Sequence, residues 1–187
     1  MDSRLLQTAT ALLAERGWSA LSMEAIAERA GVSRATVWRH GLTRGAVERV
    51  LRQRLAADYQ DLVCRQVSTD RSAEQQLTSA LISLCAVAER NLPLLAHTET
   101  AFHGPDLDAA GISLDYFGPW LRILEQAAAD GSIPVPEDRV TFIATVTNMV
   151  LLTYVHTRAH HADAYPTPEH TARSIVDLAT RGFLPSS

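Results

Sequence analysis

The 187-residue sequence predicts an all-α protein, a small three-helix head followed by a larger helical body, about nine helices in all. Three observations predict it. Apolar residues recur at the three-to-four spacing of helices almost throughout, and no segment shows the alternation of a strand. Ser, Thr, Gly and Pro fall between these segments, where helices start and stop. A composition of 47% hydrophobic residues over this length is enough for a substantial core.

The first helix is expected from about Ser3 to Arg16, with Leu5, Leu6, Ala9, Leu12 and Leu13 facing inward and Gly17 ending it. Ser22 then caps a short helix from Met23, and Glu24 sets a carboxylate in its positive first turn. Ile26, Ala27 and Ala30 give it one apolar stripe, and Gly31 suits the left-handed residue that closes it. Ser33 caps the next helix, and Val32 is placed to pack on Val37 as a hydrophobic staple. Two short helices about a glycine turn form a helix-turn-helix.

The second of these helices has a face suited to a DNA groove. At about 100° per residue, Val37 points one way, while Ala35 and Arg39 point nearly opposite, flanked by Arg34 and Trp38. A small residue permits close approach, and a guanidinium can bond guanine O6 and N7 together. Ser33, Thr36 and His40 suit phosphate oxygens, which fix register without reading sequence. The plainer reading is a surface turn whose arginines are merely solvated.

The stretch Leu21–His40, together with Leu12–Trp18 before it and Thr43-Arg44 after it, resembles the DNA-binding domain of the TetR (tetracycline repressor) family of bacterial regulators. The resemblance covers roughly the first 50 residues. It implies that Arg34, Ala35 and Arg39 lie where base edges are read, and that Ser22, Thr36, Trp38, His40 and Arg44 lie near phosphates. Gly41, Leu42 and Gly45 depart from the family pattern, which has Phe and then Pro or Gly after His40, and Glu after Arg44. Trp38 stands where Tyr is usual, so an indole N–H replaces a phenol. Leu42 is a candidate to fill the space of the missing Phe.

Charge follows the same division. Residues 1–55 hold nine Arg against five Asp/Glu, a balance of +4, and residues 56–187 hold eight Arg against sixteen, a balance of −8. A basic front on an acidic rear suits a protein that offers one end to a polyanion. The two cysteines, Cys64 and Cys85, have no metal or redox spacing and read as reduced, packed thiols of a cytoplasmic protein. No unbroken apolar run approaches the roughly 20 residues of a membrane span, and the N-terminus does not read as a signal peptide. No membrane partner is expected.

Residues 1–45 are read as the DNA-binding domain and residues 46–187 as an effector-binding and dimerisation domain. A long helix from Thr43 to about Val67 links the two. Helices are then expected over 73–90, from about Leu94 to His103, and from about Asp106 to Ala129 with a kink or break near Gly118-Pro119. The next, from about Pro136 to His160, is apolar nearly all round and needs cover on both sides. A last helix runs from about Pro168 to Gly182. The two C-terminal helices pairing with their symmetry mates would make a homodimer, which the family resemblance also implies, and would set two recognition helices over a palindromic double-stranded operator.

Within the body, Thr145, Asn148, Met149, Leu152 and His156 form a mixed polar and apolar stripe at helical spacing, as a ligand cavity requires. Leu81, Cys85, His103, Phe117, Trp120 and Leu121 are candidates to complete it around a hydrophobic or aromatic effector. The family resemblance implies such a pocket; an ordinary core with satisfied polar groups is the plainer alternative. No cofactor is expected and no metal site is assigned. His156 and His160 share a helix face and, with His97, His103 or His161, leave metal sensing as an alternative. No phosphate loop or nucleophile motif points to an enzyme. The reading is a ligand-responsive regulator, a repressor released from its operator by the effector, with an effector-free DNA-binding dimer as the other possibility.

Overall fold

A computed structural model describes residues 2–67, 70–97, 114–160 and 167–181. They form nine helices and no strand: α1 (Ser3–Arg16), α2 (Met23–Ala30), α3 (Arg34–Arg39), α4 (Arg44–Leu62), α5 (Ala73–Arg90), α6 (Leu92–Leu95), α7 (Gly118–Asp130), α8 (Arg139–His160) and α9 (Pro168–Arg181). The architecture is thus all-α, as the periodicity predicts.

Local chemistry explains the boundaries of the head. The Asp2 carboxylate accepts from Arg4 N and Leu5 N, and Gly17, at φ 73°, ends α1. Ser22 Oγ accepts from Ala25 N at 3.1 Å, and Ser33 Oγ accepts from Thr36 N at 3.1 Å. Gly31 is left-handed at φ 67°, and the next amide, Val32 N, bonds back to Ala27 O at 3.0 Å. Leu5, Leu12, Leu13, Ile26, Ala27, Val37, Leu42 and Val47 bury together and lock α1–α3 onto the start of α4. Leu42 has no exposed surface, so it fills the core at the corner that lacks Phe. Gly41 makes the turn at φ 65° that lets the chain reach it.

The body is built around α5, which packs against α4, α7, α8 and α9. A capping box opens it: Ser72 Oγ accepts from Gln75 N, and Gln75 Oε1 accepts from Ser72 N. Leu77, Ala80, Leu81, Leu84, Cys85 and Ala88 are its buried face.

Several helices differ from the sequence expectation. The linking helix α4 stops at Leu62, and a 3-10 turn over Cys64–Gln66 replaces its last turn. The helix expected over 94–103 starts earlier and is short, Leu92–Leu95, with Pro93 in its first turn; positions 98–103 lie outside the described residues. Pro119 does not kink a longer helix. It occupies the first turn of α7, where its missing N–H costs nothing, and residues 114–117 before it are non-helical. The helix α8 begins at Arg139 rather than Pro136, because Asp138 accepts from Thr141 N at 3.0 Å and caps it there.

The helix α8 is the most apolar of the long helices among the described residues. An 18-residue window within Arg139–Ala159 has a mean hydropathy of 1.3, so this helix is long and apolar enough by length and composition alone to cross a bilayer. Thr145, Thr147, Asn148 and Thr153 interrupt the apolar residues, so no unbroken apolar run spans that length. In the fold Ile143, Val146, Val150, Leu151 and Tyr154 are buried against the body, while Val140, Met149 and Leu152 are exposed, Leu152 at 71%.

Candidate nucleic-acid interface

In the head, α3 is exposed along most of its surface. Its one buried residue is Val37, at 0% exposure, and this fixes the rotation of the helix. Arg34, Ala35, Trp38, Arg39 and His40 are consequently exposed, with Trp38 at 70%. The sequence-predicted base-reading face is therefore outward. Its frame is rigid: Arg29 of α2 holds the Glu15 carboxylate of α1 in a two-pronged ion pair, and Arg4 donates to Ala30 O at 3.2 Å. The hydrogen bonds from Arg29 keep the Glu15 carboxyl below the usual carboxylate range.

The cations of this face are individually held. Arg34 Nη2 lies 2.5 Å from Glu24 Oε1 of α2. Arg39 Nη2 donates to Thr36 Oγ1 at 3.3 Å, and that hydroxyl also bonds Ser33 Oγ at 2.9 Å. Arg44 rests its guanidinium carbon 5.4 Å above the centre of the Trp18 ring. Ser22 and Ser33 each use a hydroxyl lone pair to cap a helix start. A second acceptor position and the hydroxyl proton remain on Ser22. Glu24 and Trp18 were not singled out from the sequence as members of the face. Their partners lie ten and twenty-six positions away across separate helices, so no local spacing signals them.

The candidate effector residues do not converge in one place. Leu81 and Cys85 are fully buried on α5, and Trp120 is buried on α7, with Phe117 and Leu121 half-buried beside it. On α8, Thr145, Met149, Leu152 and His156 are exposed and Asn148 is half-buried, so that stripe faces away from the body. His103 lies outside the described residues, as does His161. Among the described residues, no three His, Cys, Asp or Glu side chains come together as a metal site. Two clefts are present elsewhere. One of about 490 Å³ lies between α5 and α9, around Thr78, Ile82, Arg173 and Val176. The other, about 380 Å³, lies where α1 meets α6 and the end of α8, around Ala14, Pro93, His97 and Arg158.

The interior instead carries a polar relay that the sequence reading did not foresee. The Tyr59 hydroxyl of α4 donates to Tyr116 O at 2.6 Å and accepts from Trp120 Nε1 at 2.6 Å. The two tyrosine rings stack at 5.2 Å. Burial pushes both phenols far above their ordinary titration range; for Tyr59 the indole hydrogen bond opposes the shift, and for Tyr116 the Thr147 hydroxyl does so. This relay fastens the far end of α4 to α7. Near its other end, His97 of the body lies 3.4 Å from the position a Cβ on Gly17 would take, so head and body also touch beneath α1.

A basic, outward-facing α3 on a packed α2 defines the class: a helix-turn-helix DNA-binding protein. Residues 5–40 match the sequence profile of bacterial regulatory proteins of the tetR family. Over these residues the head matches a TetR-family DNA-binding domain. Solved structures share the fold over nearly all of the chain. PfmR, a TetR family transcriptional regulator from Thermus thermophilus, has a TM-score of 0.71 at 18% identity, covering 98% of this chain and 100% of its own. AibR, solved with isovaleryl coenzyme A and operator DNA, has a TM-score of 0.71 at 20% identity, covering 96% of this chain and 97% of its own. FadR from Bacillus subtilis, solved with stearoyl-CoA, has a TM-score of 0.71 at 12% identity, covering 97% of this chain and 98% of its own. No curated protein matches the chain in sequence.

Proposed function

We propose that this protein is a cytoplasmic, ligand-responsive repressor that binds a palindromic operator as a homodimer and leaves it when a small hydrophobic or aromatic effector binds the body. The observation that carries the reading is the rotation of α3. With Val37 fully buried, Arg34, Ala35 and Arg39 are left outward together. In this reading these three meet base edges, while Ser22, Ser33, Thr36, Trp38, His40 and Arg44 contact the sugar-phosphate backbone. Residues 1–45 serve as the DNA-binding domain and residues 46–187 as the effector and dimerisation domain. The exposed Met149 and Leu152 on the outward side of α8 support a partner subunit over the two C-terminal helices.

Effector control needs a mechanical link, and α4 supplies one, tied to the body at Tyr59. A ligand that favours a rotated body would swing the heads out of register with two half-sites. Because AibR and FadR were solved with acyl-coenzyme A compounds, these are the first effectors to try, and regulation rather than turnover is the expected response.

The test is a duplex selected from a randomised pool by the purified protein, then titrated by fluorescence anisotropy against a scrambled duplex. Arg39→Ala is expected to weaken the selected duplex by roughly 1–3 kcal/mol and to relax specificity, whereas Arg44→Ala weakens both duplexes similarly and lowers the salt dependence. Equal losses on both duplexes for the two variants would remove this division of roles. Binding that ignores every acyl-coenzyme A tried, from isovaleryl to stearoyl, would remove that effector class.

A further inference from the structure

We infer that Glu24 is a specificity-determining positioning residue, which holds Arg34 for one base pair and cancels its charge on DNA of any other sequence. The inference rests on the DNA-binding reading of α3. Three facts support it. The Glu24 carboxylate and the Arg34 guanidinium meet at 2.5 Å across the turn between α2 and α3. Both side chains are otherwise in solvent, at 54% and 65% exposure, so packing does not dictate the contact. Glu24 stands in the first turn of α2, where the free N–H groups of the helix favour an anion and restrain it.

An arginine at the exposed start of a recognition helix has many rotamers, and ordering it opposes binding. Glu24 limits that freedom through one terminal nitrogen. The remaining N–H groups of the planar guanidinium stay available to a pair of acceptors on a base. The same contact sets the charge balance. A lone arginine here would gain from phosphates on any duplex through counterion release. Paired with Glu24, the position is neutral and gains only where a base edge repays its geometry. Glu24 thus lowers binding to random DNA more than binding to the matched site.

The test uses the full-length protein, the duplex selected from the randomised pool and a scrambled duplex, both titrated over a range of salt. The readout is the ratio of the two affinities. Glu24→Gln is expected to cut this ratio roughly five- to tenfold, within the range a single base contact provides, mainly by tightening the scrambled duplex and steepening its salt dependence. Glu24→Asp keeps the charge but is one methylene too short to hold Arg34, and is also expected to lower the ratio. In an Arg34→Ala background, Glu24→Gln should change the ratio less than about twofold, because the pair no longer exists. Both duplexes tightening equally, with the same gain in the Arg34→Ala background, would mean that Glu24 acts only as a negative charge near DNA and would overturn the inference. If the wild-type protein selects no sequence and binds no duplex at low salt, the DNA-binding reading itself fails, a result distinct from an unchanged ratio. Glu24 is exposed, so matching thermal melts for all variants will establish that they fold alike.

Discussion

Replacing Tyr59 by Phe removes one oxygen atom and tests the joint between α4 and the body. Tyr59 has no exposed surface, and its hydroxyl serves two buried groups, Trp120 Nε1 and the Tyr116 carbonyl, each at 2.6 Å. Phe keeps the ring and its stacking on Tyr116, so no large cavity opens. The indole N–H and the carbonyl each lose a partner without gaining water, at roughly 1–3 kcal/mol apiece. Burying a hydroxyl no longer opposes folding, which offsets part of that. The expected loss is therefore about 2–4 kcal/mol in urea unfolding followed by circular dichroism, with the slope against denaturant unchanged. A loss under about 0.5 kcal/mol would show that these bonds do not hold α4 to α7. The same variant should retain DNA binding at low temperature, because every residue of α3 is untouched.

Gly45 lies in the first turn of α4, and a Cβ placed on it would meet nothing within 4 Å, so Gly45→Ala should stabilise the protein by roughly 0.5–1 kcal/mol in the same unfolding assay. Gly41, equally uncrowded but at φ 65°, should respond the other way: Gly41→Ala is expected to destabilise by about 1 kcal/mol. Leu152, 71% exposed on α8, should tolerate Arg without loss of helix content, yet Leu152→Arg should convert a dimer into a monomer in sedimentation velocity; an unchanged mass would place the partner elsewhere. Alkaline pH should destabilise the fold. Burial pushes the Cys85 thiol up to about 12 from an ordinary 9.0. The Tyr154 phenol rises to about 12 from 10.0, through burial first and then the nearby Glu89 carboxylate. The folded state thus favours the protonated forms, and these groups leave stability flat below about pH 9. Above it the unfolded chain ionises first, so the urea midpoint should fall as pH rises toward 12.

What the sequence disclosed was what short-range chemistry decides. Ser22, Gly31 and Ser33 announce the ends of α2 and α3 because caps and left-handed glycines act within three or four residues. The inward rotation of α3 followed from one valine among polar neighbours. The sequence left a kink or a break open near Gly118, and the structure has the break: Pro119 can either kink a helix or begin one, and only the chain before it decides. The effector stripe on α8 was ambiguous for a related reason. Helical spacing says which residues share a face, but not whether that face meets a cavity, a partner or water. The pairs Tyr59–Trp120 and Glu24–Arg34 had no local signature at all, since tertiary packing alone brings them together.

The three tryptophans stand in three different surroundings. Trp120 is enclosed and hydrogen-bonded, Trp18 lies under a cation, and Trp38 projects into solvent at 70% exposure. The molecule therefore carries its own set of optical reporters. Emission from Trp120 should lie to the blue and follow events inside the body, while collisional quenchers such as iodide should reach Trp38 first. Shielding of Trp38 by a duplex, with the blue component unmoved, would separate occupancy of the head from rearrangement of the body without any added label.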